Sequence, residues 1–236
     1  MFSGHWTVLG AAVVVATYVV IGVFYLRLGI HALRWAEAAL RSGVAPGRPR
    51  GAPMRDLAGA AVDVLLLRRL FVANPLLWFG EWSFHVALLL VLLRHLRYFM
   101  EPVPAWVAWA QTPGWMAGFF LPAALLFVLL LRLLPGREPF SSRANLLLLL
   151  DLLGIAATGL ALSTLHRVDL VQVKLYALGV VTFRPAPPPA DWLLAAHVAL
   201  VLALVASIPS HVFTAPLSML DARRRDRELR GVLHDA

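Results

Sequence analysis

Five long apolar stretches constrain the fold of this chain more than any other feature of its sequence. They occupy residues 6–33, 76–99, 115–134, 145–165 and 191–213. Each is long enough to cross a hydrocarbon core of about 30 Å as a helix of about 20 residues. Because they are long and rich in leucine, these stretches favour helices over barrel strands. The sequence therefore predicts an all-α, multi-pass membrane protein, a five-helix bundle that forms one membrane domain over residues 1–236.

The composition supports this class of protein and excludes several kinds of site. The chain is 60% hydrophobic and 14% charged, whereas soluble domains are about 45–50% apolar and about 25% charged. Cysteine is absent, which excludes disulfides, thiolate zinc sites and thiolate-held iron–sulfur clusters within this chain. Any iron–sulfur cluster that works with this chain must therefore belong to a partner.

The positions of the arginines predict the orientation in the membrane. Between Arg34 and Arg69 there are seven arginines and three acidic residues, and five more arginines lie within Arg223–Arg230. Cytoplasmic loops carry the excess of Lys and Arg, so we expect the N-terminus outside and a basic, cytoplasmic C-terminal tail over 221–236. The membrane expected is the inner (cytoplasmic) membrane. Because the charges follow membrane topology, the net charge of +8 does not indicate nucleic-acid binding.

Two connecting segments have features of their own. Residues 56–73 are too short and too charged to span the membrane, and they predict an amphipathic helix on the cytoplasmic surface. This helix is interpreted either as a lipid anchor or as a dock for a soluble subunit. Residues 167–189 are expected to form an outer loop that ends in the stiff, extended stretch RPAPPP.

Four histidines inside two of the apolar stretches are the strongest functional signal. His85 and His95 lie in the second stretch, and His197 and His211 lie in the fifth. Ionisable side chains within the membrane are costly and usually mark a functional site. Neutral imidazole is the commonest protein metal ligand and a frequent axial ligand of haem iron. The alternative interpretation is four separate polar contacts between helices.

The direction of the spans predicts how these histidines pair. The second and fifth spans run antiparallel, so His95 and His197 are expected near the outer face, and His85 and His211 near the inner face. They are called the outer pair and the inner pair below. His85 and His95 are ten residues apart, which is about 15 Å along a helix. The pattern therefore predicts two haems, each held by two histidines whose side chains bind the iron.

Other polar residues near the outer face have weaker signals. Arg94 and Arg97 are predicted either to contact haem propionates or to extend to the membrane interface. His166 and Lys174 are candidates for a quinone head-group site, with a solvated loop histidine as the alternative for His166. Asp151 is the one acidic residue that we expect within the membrane.

At this point four segments of the chain resemble a known group of membrane proteins. They are DVLLLRRLF, FHVALLLVLLRHLRYFMEPVP, VKLYALGVVTF and HVALVLALVASIPSHVFTAP, and together they cover most of the chain from Asp63 to Pro216. The chain resembles the haem b (gamma) subunit of respiratory nitrate reductase. It is more similar to the DsrM-type subunit of sulfite-reductase-associated electron-transfer complexes, a group that also holds the heterodisulfide reductase membrane subunit.

This resemblance implies a five-helix cytochrome b with two haems, whose ligands map onto His85, His95, His197 and His211. It also implies quinol chemistry near the outer haem and a cytoplasmic iron–sulfur partner of the heterodisulfide-reductase or nitrate-reductase kind. The chain would then be the electron-transfer subunit of an oxidoreductase in the respiratory chain rather than a complete enzyme. Two alternatives stay open, a non-redox membrane anchor for a soluble enzyme and a proton-coupled transporter.

Overall fold

The computed structural model describes residues 6–41, 59, 62–134 and 143–212, without the side chains of residues 35–36, 38–41, 69 and 210–212. The basic tail over 221–236 lies outside these residues, as do residues 56–58 and 60–61 of the predicted surface helix. Regular secondary structure in the described residues is entirely helical. Its helices are α1 (Val8–Arg41), α2 (Arg68–Ala73), α3 (Pro75–His95), α4 (Ala105–Trp109), α5 (Gln111–Leu133), α6 (Arg143–Thr164), α7 (Leu170–Val181) and α8 (Trp192–Val212). A 3-10 turn over Leu96–Tyr98 follows α3 directly.

Five of these helices are long and apolar enough to cross a membrane. Their candidate spans are Val8–Arg34, Pro75–Tyr98, Gln111–Leu133, Arg143–Thr164 and Trp192–Pro209. The predicted all-α class and the five spans are therefore confirmed, with boundaries that differ by a few residues at most ends. The chain is a multi-pass membrane protein.

The chain divides into two compact units, and the first comprises residues 1–22 and 79–205. Within it, α5 and α6 pack along each other, and α7 packs against the 3-10 turn. Gly114 on α5 lets this helix approach α3 closely, because a Cβ at this position would lie 2.7 Å from the Leu90 carbonyl oxygen. The two outer-pair histidines both belong to this unit.

Helix α7 was not foreseen in the segment expected to be an outer loop. Its Asp169 side chain caps the first turn by accepting hydrogen bonds from the backbone N–H groups of Val171 and Gln172. The Tyr176 hydroxyl lies 2.6 Å from the Thr17 hydroxyl on α1, and both side chains are buried. A 12-residue apolar helix is too short to span the bilayer, and here it is held by polar and apolar contacts with the first span.

The second unit comprises residues 23–78 and 206–236. Arg27 on α1 donates a hydrogen bond of 2.8 Å to the Ala206 carbonyl on α8. Pro209 lies within α8 and has no N–H to bond the carbonyl of residue 205, four positions earlier. The Arg27 hydrogen bond is to the next carbonyl along and links α1 to α8 within this unit.

The predicted surface helix over 56–73 is interrupted in its described part. Residues 62–65 are helical, Leu67 has a left-handed φ of 48°, and α2 begins at Arg68. The Trp78 indole N–H donates to the Leu66 carbonyl over 2.6 Å, which satisfies one of the carbonyls exposed by the break.

Candidate functional site

His85 and His95 lie on α3 and use the same local contact. The Nδ1 atom of His85 is 2.6 Å from the Glu81 carbonyl oxygen, and that of His95 is 2.7 Å from the Val91 carbonyl oxygen. Because a carbonyl can only accept, Nδ1–H is assigned as the donor in both rings and Nε2 keeps its lone pair. Histidines that bind metals usually donate their other ring N–H in this way. Both side chains are therefore prepared to act as ligands through Nε2.

His197 on α8 also donates a hydrogen bond through Nδ1, but its acceptor belongs to another helix. Its Nδ1 atom is 2.9 Å from the Thr158 hydroxyl on α6. That hydroxyl also lies 2.8 Å from the Gly154 carbonyl oxygen and 3.1 Å from that of Ile155. Since the hydroxyl has one proton and donates it to a carbonyl, it accepts from Nδ1–H of His197. Nε2 of His197 is again left as the lone-pair atom.

Both side chains of the outer pair are described. His95 and His197 are close enough to interact electrostatically, and both side chains are partly buried. The inner pair is described only in part. His85 is exposed and stacks on Phe84 at a ring distance of 4.1 Å, while the His211 side chain lies outside the described residues.

Arg94 and Arg97 place positive charge near His95. The Arg97 guanidinium lies 4.6 Å from the centre of the Tyr98 ring and donates to the Tyr98 hydroxyl. Its Nε–H is buried and has no hydrogen-bond partner among the described residues. A buried donor of this kind is costly unless a partner is supplied. An anionic oxygen, such as that of a haem propionate, is the partner that a guanidinium binds best.

The residues present therefore fit the haem that the resemblance implies. In three imidazoles Nε2 keeps its lone pair, and the buried Nε–H of Arg97 has no hydrogen-bond partner among the described residues. By contrast, in the described part of the chain no group of three or more His, Cys, Asp or Glu side chains is arranged to hold a metal ion. Imidazole is a common protein ligand of haem iron, so the donors present are compatible with a porphyrin-bound iron.

His166 and Lys174, the candidates for a quinone site, each contact a different acidic residue. His166 Nε2 pairs with the Asp191 carboxylate, and Lys174 pairs with the Glu101 carboxylate. Asp191 also accepts the backbone N–H of Leu194 over 2.8 Å at the start of α8. Partial burial raises the pKa of Asp191, but the hydrogen bonds from backbone N–H groups and the interaction with His166 lower it further, so this pKa lies below its ordinary value.

Sequence reasoning missed a second acidic residue inside the spans. Glu81 on α3 is buried and forms an ion pair with Arg132 on α5. Its backbone carbonyl is also the acceptor for His85. The glutamate in the segment WFGEWSF could have indicated this ion pair, because an acidic residue inside a span usually has a basic partner. Asp151, the acid that was expected, lies partly buried on α6.

No family model matches the chain, but curated relatives do. A cytochrome b-like subunit of an Hdr-like menaquinol oxidoreductase from Archaeoglobus profundus is 33% identical over 149 residues, covering 56% of this chain and 44% of the relative. The protein of the same name from Archaeoglobus fulgidus is 33% identical over 118 residues, covering 45% of this chain and 36% of the relative. The chain thus spans less than half the length of these relatives. Over part of its length the chain is thus similar to cytochrome b-like subunits, which is consistent with the resemblance stated from the sequence.

Proposed function

We propose that this chain is the di-haem cytochrome b subunit of a membrane-bound quinol/quinone oxidoreductase complex. The observation that carries the proposal is the shared geometry of His85, His95 and His197, each with Nδ1 directed at an acceptor and Nε2 left for a metal. The similarity to cytochrome b-like subunits of menaquinol oxidoreductases supports it independently.

In this proposal the chain's residues have distinct roles. His95 and His197 hold the outer haem, and His85 and His211 hold the inner one. Haem bound at these positions supplies one-electron redox chemistry between a quinone and a partner subunit. Arg97, with Arg94 beside it, neutralises and orients the propionates of the outer haem.

The substrate and the partner follow from the same proposal. Quinol binds near the outer pair, and a proton from its hydroxyl is taken up at the His166–Asp191 pair, with Lys174 as a further contact to the head group. The other redox partner is a cytoplasmic iron–sulfur subunit related to that of heterodisulfide reductase or nitrate reductase, because a chain without cysteine cannot hold such a cluster itself. The partner sets the terminal donor or acceptor, and the direction of flow with it.

Spectroscopy of the purified full-length chain with its co-purifying subunits tests the proposal. We expect a b-type reduced-minus-oxidised spectrum and two haems per chain. His95→Ala and His197→Ala should each remove the same haem, and His85→Ala the other. His31→Ala is the matched control, since His31 also lies in a span but has no assigned role, and it should retain both haems.

The competing function predicts a different result. If the chain is a non-redox membrane anchor, the purified complex contains no b-type haem in this subunit, and His95→Ala or His197→Ala leaves the complex fully active. Loss of haem without a fall in quinol-dependent activity would likewise overturn the electron-transfer role.

A further inference from the structure

His197 differs from the two histidines of α3 in the source of its hydrogen-bond acceptor. His85 and His95 each donate to a carbonyl four residues earlier in their own helix. His197 on α8 instead meets a side chain of α6, the Thr158 hydroxyl, at 2.9 Å. The orientation of the His197 ring therefore depends on a residue 39 positions away in the sequence.

The direction of this hydrogen bond follows from the other neighbours of Thr158. Its hydroxyl lies 2.8 Å from the Gly154 carbonyl oxygen, an acceptor that takes the hydroxyl proton. The Thr158 hydroxyl therefore accepts from the His197 ring, and this contact favours a proton on Nδ1.

Gly159, the next residue of α6, gives the ring its space. A Cβ at Gly159 would lie 3.1 Å from Cε1 of His197, which is closer than an ordinary contact. A Cβ at Gly154 would lie 3.2 Å from Leu200, one turn further along α8. Small residues in α6 therefore allow its backbone to approach α8 at the level of the imidazole, as is common between helices in membranes.

We propose that Thr158 is a positioning residue for His197, fixing the Nδ1–H tautomer and the ring plane so that Nε2 is presented to haem iron, with Gly159 providing the clearance. The inference rests on the proposed haem function. A hydrogen-bond acceptor on Nδ1–H makes an imidazole a stronger donor to its metal, and loss of such a partner typically lowers metal affinity about 10–100-fold.

Thr158→Val tests this role, because valine keeps the shape of threonine but loses the hydroxyl. We expect the affinity of the outer haem to fall about 10-fold or more. Its midpoint potential should rise, since a weaker imidazole donor stabilises the oxidised iron less, while the inner haem keeps its potential. Thr158→Ser retains the hydroxyl, so its outer haem should have the wild-type affinity and midpoint potential. Gly159→Ala should lower outer-haem occupancy by displacing the ring.

Thr164→Val is the matched control on the same helix. Its hydroxyl bonds to the Leu160 carbonyl over 2.7 Å, the same back-bond as that of Thr158, but among the described residues the Thr164 hydroxyl has no hydrogen bond to an imidazole. If Thr158→Val and Thr164→Val give the same haem affinity and potentials, the inference is wrong. A wild-type protein without haem would instead refute the proposed function, so the two failures are distinguishable.

A measurement on haem-free protein gives a second readout that does not depend on loading. With isotopically labelled histidine, the ring carbon and nitrogen NMR shifts report which nitrogen carries the proton. We expect His197 to be protonated on Nδ1 in the wild-type protein and in Thr158→Ser. A His197 protonated on Nε2 in the wild type would overturn the assignment, even if no variant of Thr158 could be purified.

Discussion

The carboxylate of Glu81 and the guanidinium of Arg132 form an ion pair between α3 and α5 within the membrane-spanning part of the chain. Their side chains are only 9% and 16% exposed. Removal of one partner from a buried pair leaves an uncompensated charge and costs about 3–5 kcal/mol. Glu81→Gln and Arg132→Met should therefore each lower the thermal unfolding temperature strongly.

The matched test of this pair is the double variant Glu81→Gln/Arg132→Met, which removes both charges together. It should be more stable than either single variant, because no charge is then stranded. If the fall in unfolding temperature of the double variant equals the sum of the falls of the two single variants, the two side chains act independently.

Close packing of α3 and α5 at Gly114 gives a second prediction. A Cβ there would lie 2.6 Å from Cβ of Arg94 and 2.7 Å from a backbone oxygen, so Gly114→Ala must push the helices apart next to His95. We expect a lower unfolding temperature and weaker outer-haem binding. Gly118→Ala on the same helix is the control, because a Cβ added at Gly118 would meet no described atom within 4 Å, and this variant should behave like the wild type.

The buried hydrogen bond between Thr17 and Tyr176 predicts an asymmetric pair of effects. Thr17 donates its own proton to the Val13 carbonyl at 2.8 Å, so Tyr176 is the donor in their mutual bond. Thr17→Val leaves the buried Tyr176 hydroxyl without its acceptor and should cost about 1–3 kcal/mol, whereas Tyr176→Phe removes the donor and should cost about 0.5–1.5 kcal/mol. Unfolding measurements on both variants, together with the double variant, decide whether this order holds.

The cap at Asp191 predicts a dependence of stability on pH. Because its folded-state pKa lies below the unfolded value, the carboxylate contributes stability above the unfolded pKa of about 3.9. That stability is lost as the pH falls through the folded value. Asp191→Ala should cost about 0.5–2 kcal/mol near neutral pH. The difference from the wild type should shrink in acid, and a difference that stays constant from neutral pH down to about one unit below the unfolded pKa would contradict the assignment.

Hydropathy was sufficient to predict the spans, because burial in lipid requires about 20 consecutive apolar helical residues whatever the helices pack against. The same criterion could not find α7. That helix is too short to span, and it is held by its Asp169 cap and by contacts with Thr17, which lies in the first span. Contacts between distant segments leave no periodic signal in the sequence.

The candidate site shows the same difference between residues that can be recognised locally in the sequence and contacts that form only between helices. The candidate histidines were recognisable from their types and spacing, and the structure brings His95 and His197 within electrostatic reach. Thr158 and the partner of Glu81 were not recognisable, because each acts across a helix interface on a residue 39 or 51 positions away. Sequence reasoning found the candidate histidines but not the contacts that residues of other helices make with His197 and Glu81.

The contrast between the carbonyl acceptors of α3 and the hydroxyl acceptor of His197 has a consequence for biogenesis. Ring orientation at His85 and His95 is encoded within one helix, so it is available as soon as α3 is inserted and its hydrogen bonds close. The orientation of the His197 ring depends on both α6 and α8, so its contact with Thr158 forms only after both helices have left the translocon.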